Sequence, residues 1–202
     1  MKKTLLFFLL ACLFSIGLEA QDVTLLNNIR TTNGKIKSFE ADLDNTLVKP
    51  QKTTSQEGKL YFVSPKEFSA EFTTGKYMTV NEKKIKMNIG LFDGTFRLRE
   101  GGTMQSLGNI FLYGFQGRIQ NLADENNYSL ATTSKDGYHI ITATNNKKSL
   151  LGIGYKQVVF KYHCDSLLLK EIVLYDFSGN QDTYTISNVK YDIPVDQSRF
   201  DI

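Results

Sequence analysis

Few side chains in this sequence could do chemistry. Among 202 residues there are two histidines, His139 and His163, and two cysteines, Cys12 and Cys164. His163 and Cys164 are adjacent, the pairing that a thiol nucleophile and its base would use. They close the alternating run "YKQVVFKYHC". Where a strand runs through both, their side chains point to opposite faces and cannot share a proton. The simpler reading is a surface histidine beside a structural cysteine. A zinc site needs several convergent ligands, and two separated histidines with one cysteine do not supply them. Asp42 and Asp44 share a strand face, but they alternate with Phe39, Ala41 and Leu43, as a solvated face does. "GIGYKQ" (Gly152 to Gln157) enters a strand rather than a helix, so it lacks the helix N-terminus that cradles phosphate. "NYS" (Asn127 to Ser129) matches the glycosylation sequon only at chance-level specificity. The expectation is a protein that is not an enzyme, with no catalytic residue, metal or cofactor.

What must position any functional surface starts at the N-terminus. Lys2 and Lys3 precede the apolar "TLLFFLLACLFSIGL", and the small residue Ala20 precedes Gln21. This pattern predicts a secretory signal peptide over residues 1–20 and one domain over 21–202, with a periplasmic destination. "LLAC" (Leu9 to Cys12) also resembles a lipobox, in which Cys12 would be lipidated. The apolar run continues past it through "LFSIGL", which favours cleavage near Ala20. Cleavage there leaves Cys164 without an internal disulfide partner. The remaining chain of about 180 residues is long enough for one core. Without Lys2, Lys3 and Glu19 it carries 22 basic and 20 acidic residues, scattered along its length. That balance gives no case for nucleic acid. Ten Tyr and 14 Phe against three Pro argue for a β-rich fold.

The periodicity gives the elements. Asp22 is placed to cap a short helix with Val23, Leu26 and Ile29 on its apolar face, ending at Asn33-Gly34. A strand follows from Ile36 to Val48, and "KPQKTTSQEG" reads as a polar loop. "GKLYFVSPKEFSAEF" (Gly58 to Phe72) then holds two alternating runs around Ser64-Pro65. Shorter runs carry Met78 and Val80, then Ile85, Met87 and Ile89, then Phe96 and Leu98. From Thr103 to Asn127 the period changes: Phe111, Phe115, Ile119 and Leu122 lie on one helical face. Gly114 and Gly117 each cost roughly 1 kcal/mol in a helix interior, which predicts short, breakable helices. Five further strands, separated by hairpin-type turns, form a late antiparallel meander.

What remains for function is apolar surface. Leu60 and Phe62 share one strand face, and Phe68, Ala70 and Phe72 share a face of the next. On the residues alone this stripe reads either as ordinary core or as the wall of a cavity.

The order of these motifs resembles the periplasmic outer-membrane lipoprotein carrier proteins (LolA), over most of the mature chain. "GKLYFVSPKEFSAEF" is similar to that family's Gly, apolar strand, Pro-x-x-Phe signature. "YMTVNEKKIKM" is similar to its next hairpin, and Asp176 to Asn180, Asn188 and Phe200 to its C-terminal pattern. The resemblance implies an unclosed, half-barrel antiparallel sheet with an N-terminal helix and a short helical lid over an apolar cavity. It implies a chaperone that takes acylated lipoproteins from an ATP-driven transporter in the inner membrane and passes them to an outer-membrane acceptor. A monomer is expected. Leu60, Phe62, Phe68, Ala70, Phe72, Met78 and Val80 become candidates for the cavity, and Phe111, Phe115, Ile119 and Leu122 for the lid. The alternative, with Cys12 lipidated, is an anchored acceptor or envelope-sensing lipid-binding module of the same fold.

Two departures from the family stand out. Relatives often carry an arginine before the Pro to latch the lid; here Ser64 stands there, and serine has no charged donor fork. The family's tryptophan two residues after the Phe is Ala70. With no arginine latch and with glycines in the helix, the empty lid is expected to be loosely held.

Overall fold

The computed structural model describes residues 22–89, 92–100, 102–146 and 154–202. The expected signal peptide, Cys12 and Gly152 of the glycine-bearing stretch lie outside them. Helix α1 (residues 22–33) comes first. Leu26, Ile29 and Asn33 are its buried stripe, whereas Val23 is 58% exposed and so drops out of the expected apolar face. Asp22 accepts a hydrogen bond from Thr132 Oγ1, which ties the start of α1 to the sheet. The helix stops where expected. A Cβ on Gly34 would lie 2.7 Å from the Arg30 carbonyl oxygen.

Among the described residues eleven strands follow, in two antiparallel runs. The first comprises β1 (Ser38–Lys49), β2 (Lys52–Val63), β3 (Glu67–Phe72), β4 (Tyr77–Val80), β5 (Lys84–Ile89) and β6 (Phe92–Arg97). Helices α2 (Thr103–Gln116) and α3 (Gln120–Asn126) intervene. The second run comprises β7 (Tyr128–Lys135), β8 (Tyr138–Asn145), β9 (Tyr155–His163), β10 (Leu169–Asp176) and β11 (Gln181–Tyr191). All pair in one sheet, β6-β5-β4-β3-β2-β1-β11-β10-β9-β8-β7. The two runs join where β1 meets β11, and β6 and β7 remain edges. The sheet is therefore an unclosed half-barrel, as expected, with helices over its apolar face.

Two expectations are corrected. "KPQKTTSQEG" is not a loop: β1 and β2 pair out to Lys49 opposite Lys52, leaving Pro50-Gln51 as the turn. Lys52 to Ser55 are all exposed, so no burial alternation marks them, although Thr53 and Thr54 suit a strand. The second correction is smaller: the helical segment does break at a glycine, as expected, but only at Gly117, because α2 runs for 14 residues through Gly108 and Gly114. Gly117 is its stop, at φ 65°, where its N–H meets the Gly114 carbonyl and the next amide bonds to Tyr113.

The C-terminal segment straps the convex face. In the turn Gln197–Phe200, Phe200 is buried. Arg199 Nη1 donates to both Glu71 oxygens at 2.8 and 2.9 Å and its guanidinium lies 3.9 Å from the centre of the Tyr61 ring. Asn81 Nδ2 donates to the Phe200 carbonyl.

Candidate functional site

The strand registers assemble the candidate wall. Phe39, Phe62, Phe68, Val80 and Ile85 are paired in one row across five strands. Ala41, Leu60, Ala70, Met78 and Met87 form the next. Phe72 sits opposite Gly58, where a Cβ would lie 2.3 Å from the Glu71 carbonyl oxygen. Glycine lets the strands close there. The seven cavity candidates thus share one concave face, and each is no more than 7% exposed.

Helix α2 lies across that face. Phe115 sets its ring against Phe39, Phe62 and Phe68 at centroid distances of 5.5, 5.5 and 5.6 Å. Phe111 meets Phe68 at 5.5 Å and Tyr184 at 5.1 Å. Ile119 and Leu122 are fully buried too, but not on the same helix: Ile119 is the N-cap of α3 and Leu122 lies within it. The rings leave only small gaps. Among the described residues, voids of about 10 Å³ lie beside Phe39 and Ile36 and, beneath Phe111, against Leu43 and Tyr184. Neither could hold an acyl chain, so the concave face is filled by the protein's own helix.

What holds α2 down was not read from the sequence. The buried Tyr162 hydroxyl donates to the Gly114 carbonyl at 2.7 Å. Gln116 Nε2 donates to the Pro65 carbonyl, also at 2.7 Å. The second bond reaches the residue next to Ser64, so a neutral amide from the helix stands where relatives were expected to use a charged latch from the strand. Burial pushes the Tyr162 phenol well above its ordinary range, so it stays a donor. Both bonds sit at the C-terminal end of α2. At the other end Gly102 provides no side-chain cap, and the helix has no acid in its first turn and no base in its last. Tyr113 donates to Glu125, linking α2 to α3. The lid is therefore seated by aromatic packing and fastened at its C-terminal end.

A polar patch closes the opposite part of the concave face. Asn45 Nδ2 donates to Asp182 Oδ1, Tyr184 Oη donates to Asp182 Oδ2 at 2.9 Å, and Gln56 Nε2 donates to Asn45 Oδ1 at 2.9 Å. Burial pushes the Asp182 carboxyl above the ordinary carboxylate range, against these hydrogen bonds.

The residues weighed for catalysis do not converge. His139 Nδ1 lies 2.7 Å from Ser134 Oγ, and the His163 ring stacks on Tyr138 at 4.9 Å. The strand ends at His163, and Cys164 begins the turn. Asp42 is held by Lys59 and Asn188. Among the described residues no three potential metal ligands come together.

No protein-family model matches the chain, and no curated protein matches it. Solved structures with related architecture do. A DUF1329 family protein from Desulfovibrio piger is 14% identical, with 88% of this chain and 94% of that one covered at a TM-score of 0.48. A LolA superfamily protein from Nitrosomonas europaea is 10% identical over 88% and 96%, at 0.42. An outer membrane lipoprotein-sorting protein domain from Vibrio parahaemolyticus is 9% identical over 87% and 94%, at 0.44. None of the three superpositions reaches a TM-score of 0.5.

Proposed function

We propose that this protein is a non-enzymatic periplasmic carrier of acylated lipoproteins, loaded by an ATP-driven inner-membrane transporter and emptied at the outer membrane. One observation chiefly supports this. The apolar face of an unclosed sheet is filled by a helix that is uncapped at one end and fastened by two hydrogen bonds at the other. Burying acyl chains is worth about 0.8 kcal/mol per CH₂, so cargo in an open dry groove would hardly leave. Returning Phe111 and Phe115 to the groove offsets that gain and drives release. The empty state is then the closed one described here.

The test is hydrogen exchange on the secreted protein, with and without a synthetic diacylated lipopeptide. Loading should raise exchange across residues 103–116, because a displaced α2 loses its packing and its end fastening, while β1 and β11 stay protected. Tight lipopeptide binding with no change in α2 would remove the gating reading. No binding at all would remove the carrier reading.

The fastening gives a second expectation. Tyr162→Phe and Gln116→Ala each remove one hydrogen bond, at a cost of about 0.5–1.5 kcal/mol. Together they should speed exchange in α2 by about tenfold or more while leaving β10 unchanged. Equal acceleration in α2 and β10 would mean that the two bonds support the whole fold, not the lid.

A further inference from the structure

We propose that Asn45, Gln56, Asp182 and Tyr184 form a head-group subsite, which selects acylated peptide termini, rich in N–H donors, over anionic phospholipids. The inference rests on the carrier reading and goes beyond it by naming what the cavity accepts at its polar end. The concave face is apolar along its paired rows until this point. Leu43 and Tyr184 line the void beneath Phe111, and Asn45 and Asp182 lie two residues further along the same strand faces. A chain that replaces Phe111 would therefore end against this cluster.

The cluster's chemistry is one-sided. A carboxylate offers about four acceptor sites, and Asp182 uses two of them, for Asn45 and Tyr184. No ion pair to Asp182 forms among the described residues. The charged neighbours acting on it are Lys76, which favours its charge, and Asp176, which opposes it. The Asp176 carboxylate is occupied in its own turn by Ser178 and Asn180. Asp182 is only partly buried, so its free acceptor sites are within reach of a ligand at the mouth. A phosphate placed there would meet the like charge of Asp182, which Lys76 offsets only in part, and this is exclusion as well as preference. Peptide N–H groups following an acylated residue supply the donors the carboxylate lacks.

The experiment measures binding of a diacylated tripeptide and of phosphatidylglycerol with matched acyl chains to the secreted protein. Wild type should prefer the lipopeptide by about tenfold or more. Asp182→Asn should bring the two affinities close together, mainly by tightening phosphatidylglycerol. Asp42→Asn removes a carboxylate that Lys59 and Asn188 hold on the other face of the sheet, so the preference should survive. Equal affinities in wild type would overturn the subsite while leaving the carrier intact. So would a preference retained in Asp182→Asn, or one lost equally in Asp42→Asn. If neither ligand binds, the carrier reading falls and the subsite with it.

Discussion

Phe68→Glu should drive the lid off the sheet without unfolding the sheet itself. Phe68 is fully buried, and its ring faces both lid phenylalanines. A carboxylate in that position, with no partner, costs several kcal/mol. The chain can relieve it in two ways. Swinging α2 away gives the charge water but sacrifices the Phe111 and Phe115 contacts and two hydrogen bonds. Unfolding sacrifices the pairing of β3 with both β2 and β4 as well. The first loss is smaller if the lid is built to move. Far-ultraviolet circular dichroism should keep its β signature, proteolysis should become rapid within residues 103–126, and lipopeptide affinity should fall by at least about tenfold. Cooperative loss of all structure would mean that these rings form an ordinary core. The closed conformation makes this a harder test than a hollow cavity would, because no empty space waits to receive the charge.

How far the sequence could be read depended on whether an element had one wet face and one dry one. Leu60 with Phe62, and Phe68 with Ala70 and Phe72, alternate because one side is buried, and their strands fell where the pattern put them. Lys52 to Ser55 have both faces in water, so pattern was silent and the strand was visible only in its pairing with β1. The latch was hidden for a different reason. Tyr162 and Gln116 bond to backbone carbonyls of distant residues, and a carbonyl acceptor leaves no mark on the identity of the residue that carries it. The one available signal was a glutamine next to Phe115 at the end of an apolar helix face. Asp182 was hidden in plain alternation: in "DTYTIS" it reads as the polar rim of a strand, whereas it shares the concave face with Tyr184 and Ile186. The resemblance read from the sequence anticipated the fold. It could not say which atoms took over when the arginine was missing.

Gly114 and Gly108 lie in the same helix and should respond to substitution with opposite signs. By propensity alone both are weak points, since glycine is worth roughly 1 kcal/mol less than alanine in a helix interior. Their surroundings differ. A Cβ on Gly108 would find the Val80 methyls at 3.6 Å, an ordinary contact. Gly108→Ala should therefore stabilise the seated lid by up to about 1 kcal/mol and slow loading by as much as about fivefold. A Cβ on Gly114 would lie 3.0 Å from Phe160 Cε1 and 3.1 Å from Ile172 Cδ1, both on fully buried residues. Leucine adds three more carbons in that direction, and overpacking of this kind costs about 1–3 kcal/mol, occasionally more. The clash also acts at the residue whose carbonyl accepts from Tyr162, so it levers the fastened end of α2 away from β9 and β10. Gly114→Leu should thus hold the lid partly open, with faster exchange across 103–116, stronger binding of an apolar dye, and quicker capture but slower release of lipopeptide. Thermal unfolding of the sheet should shift by only a few degrees. If Gly114→Leu instead lowers the whole transition and Gly108→Ala leaves loading unchanged, α2 is a fixed part of the core rather than a gate.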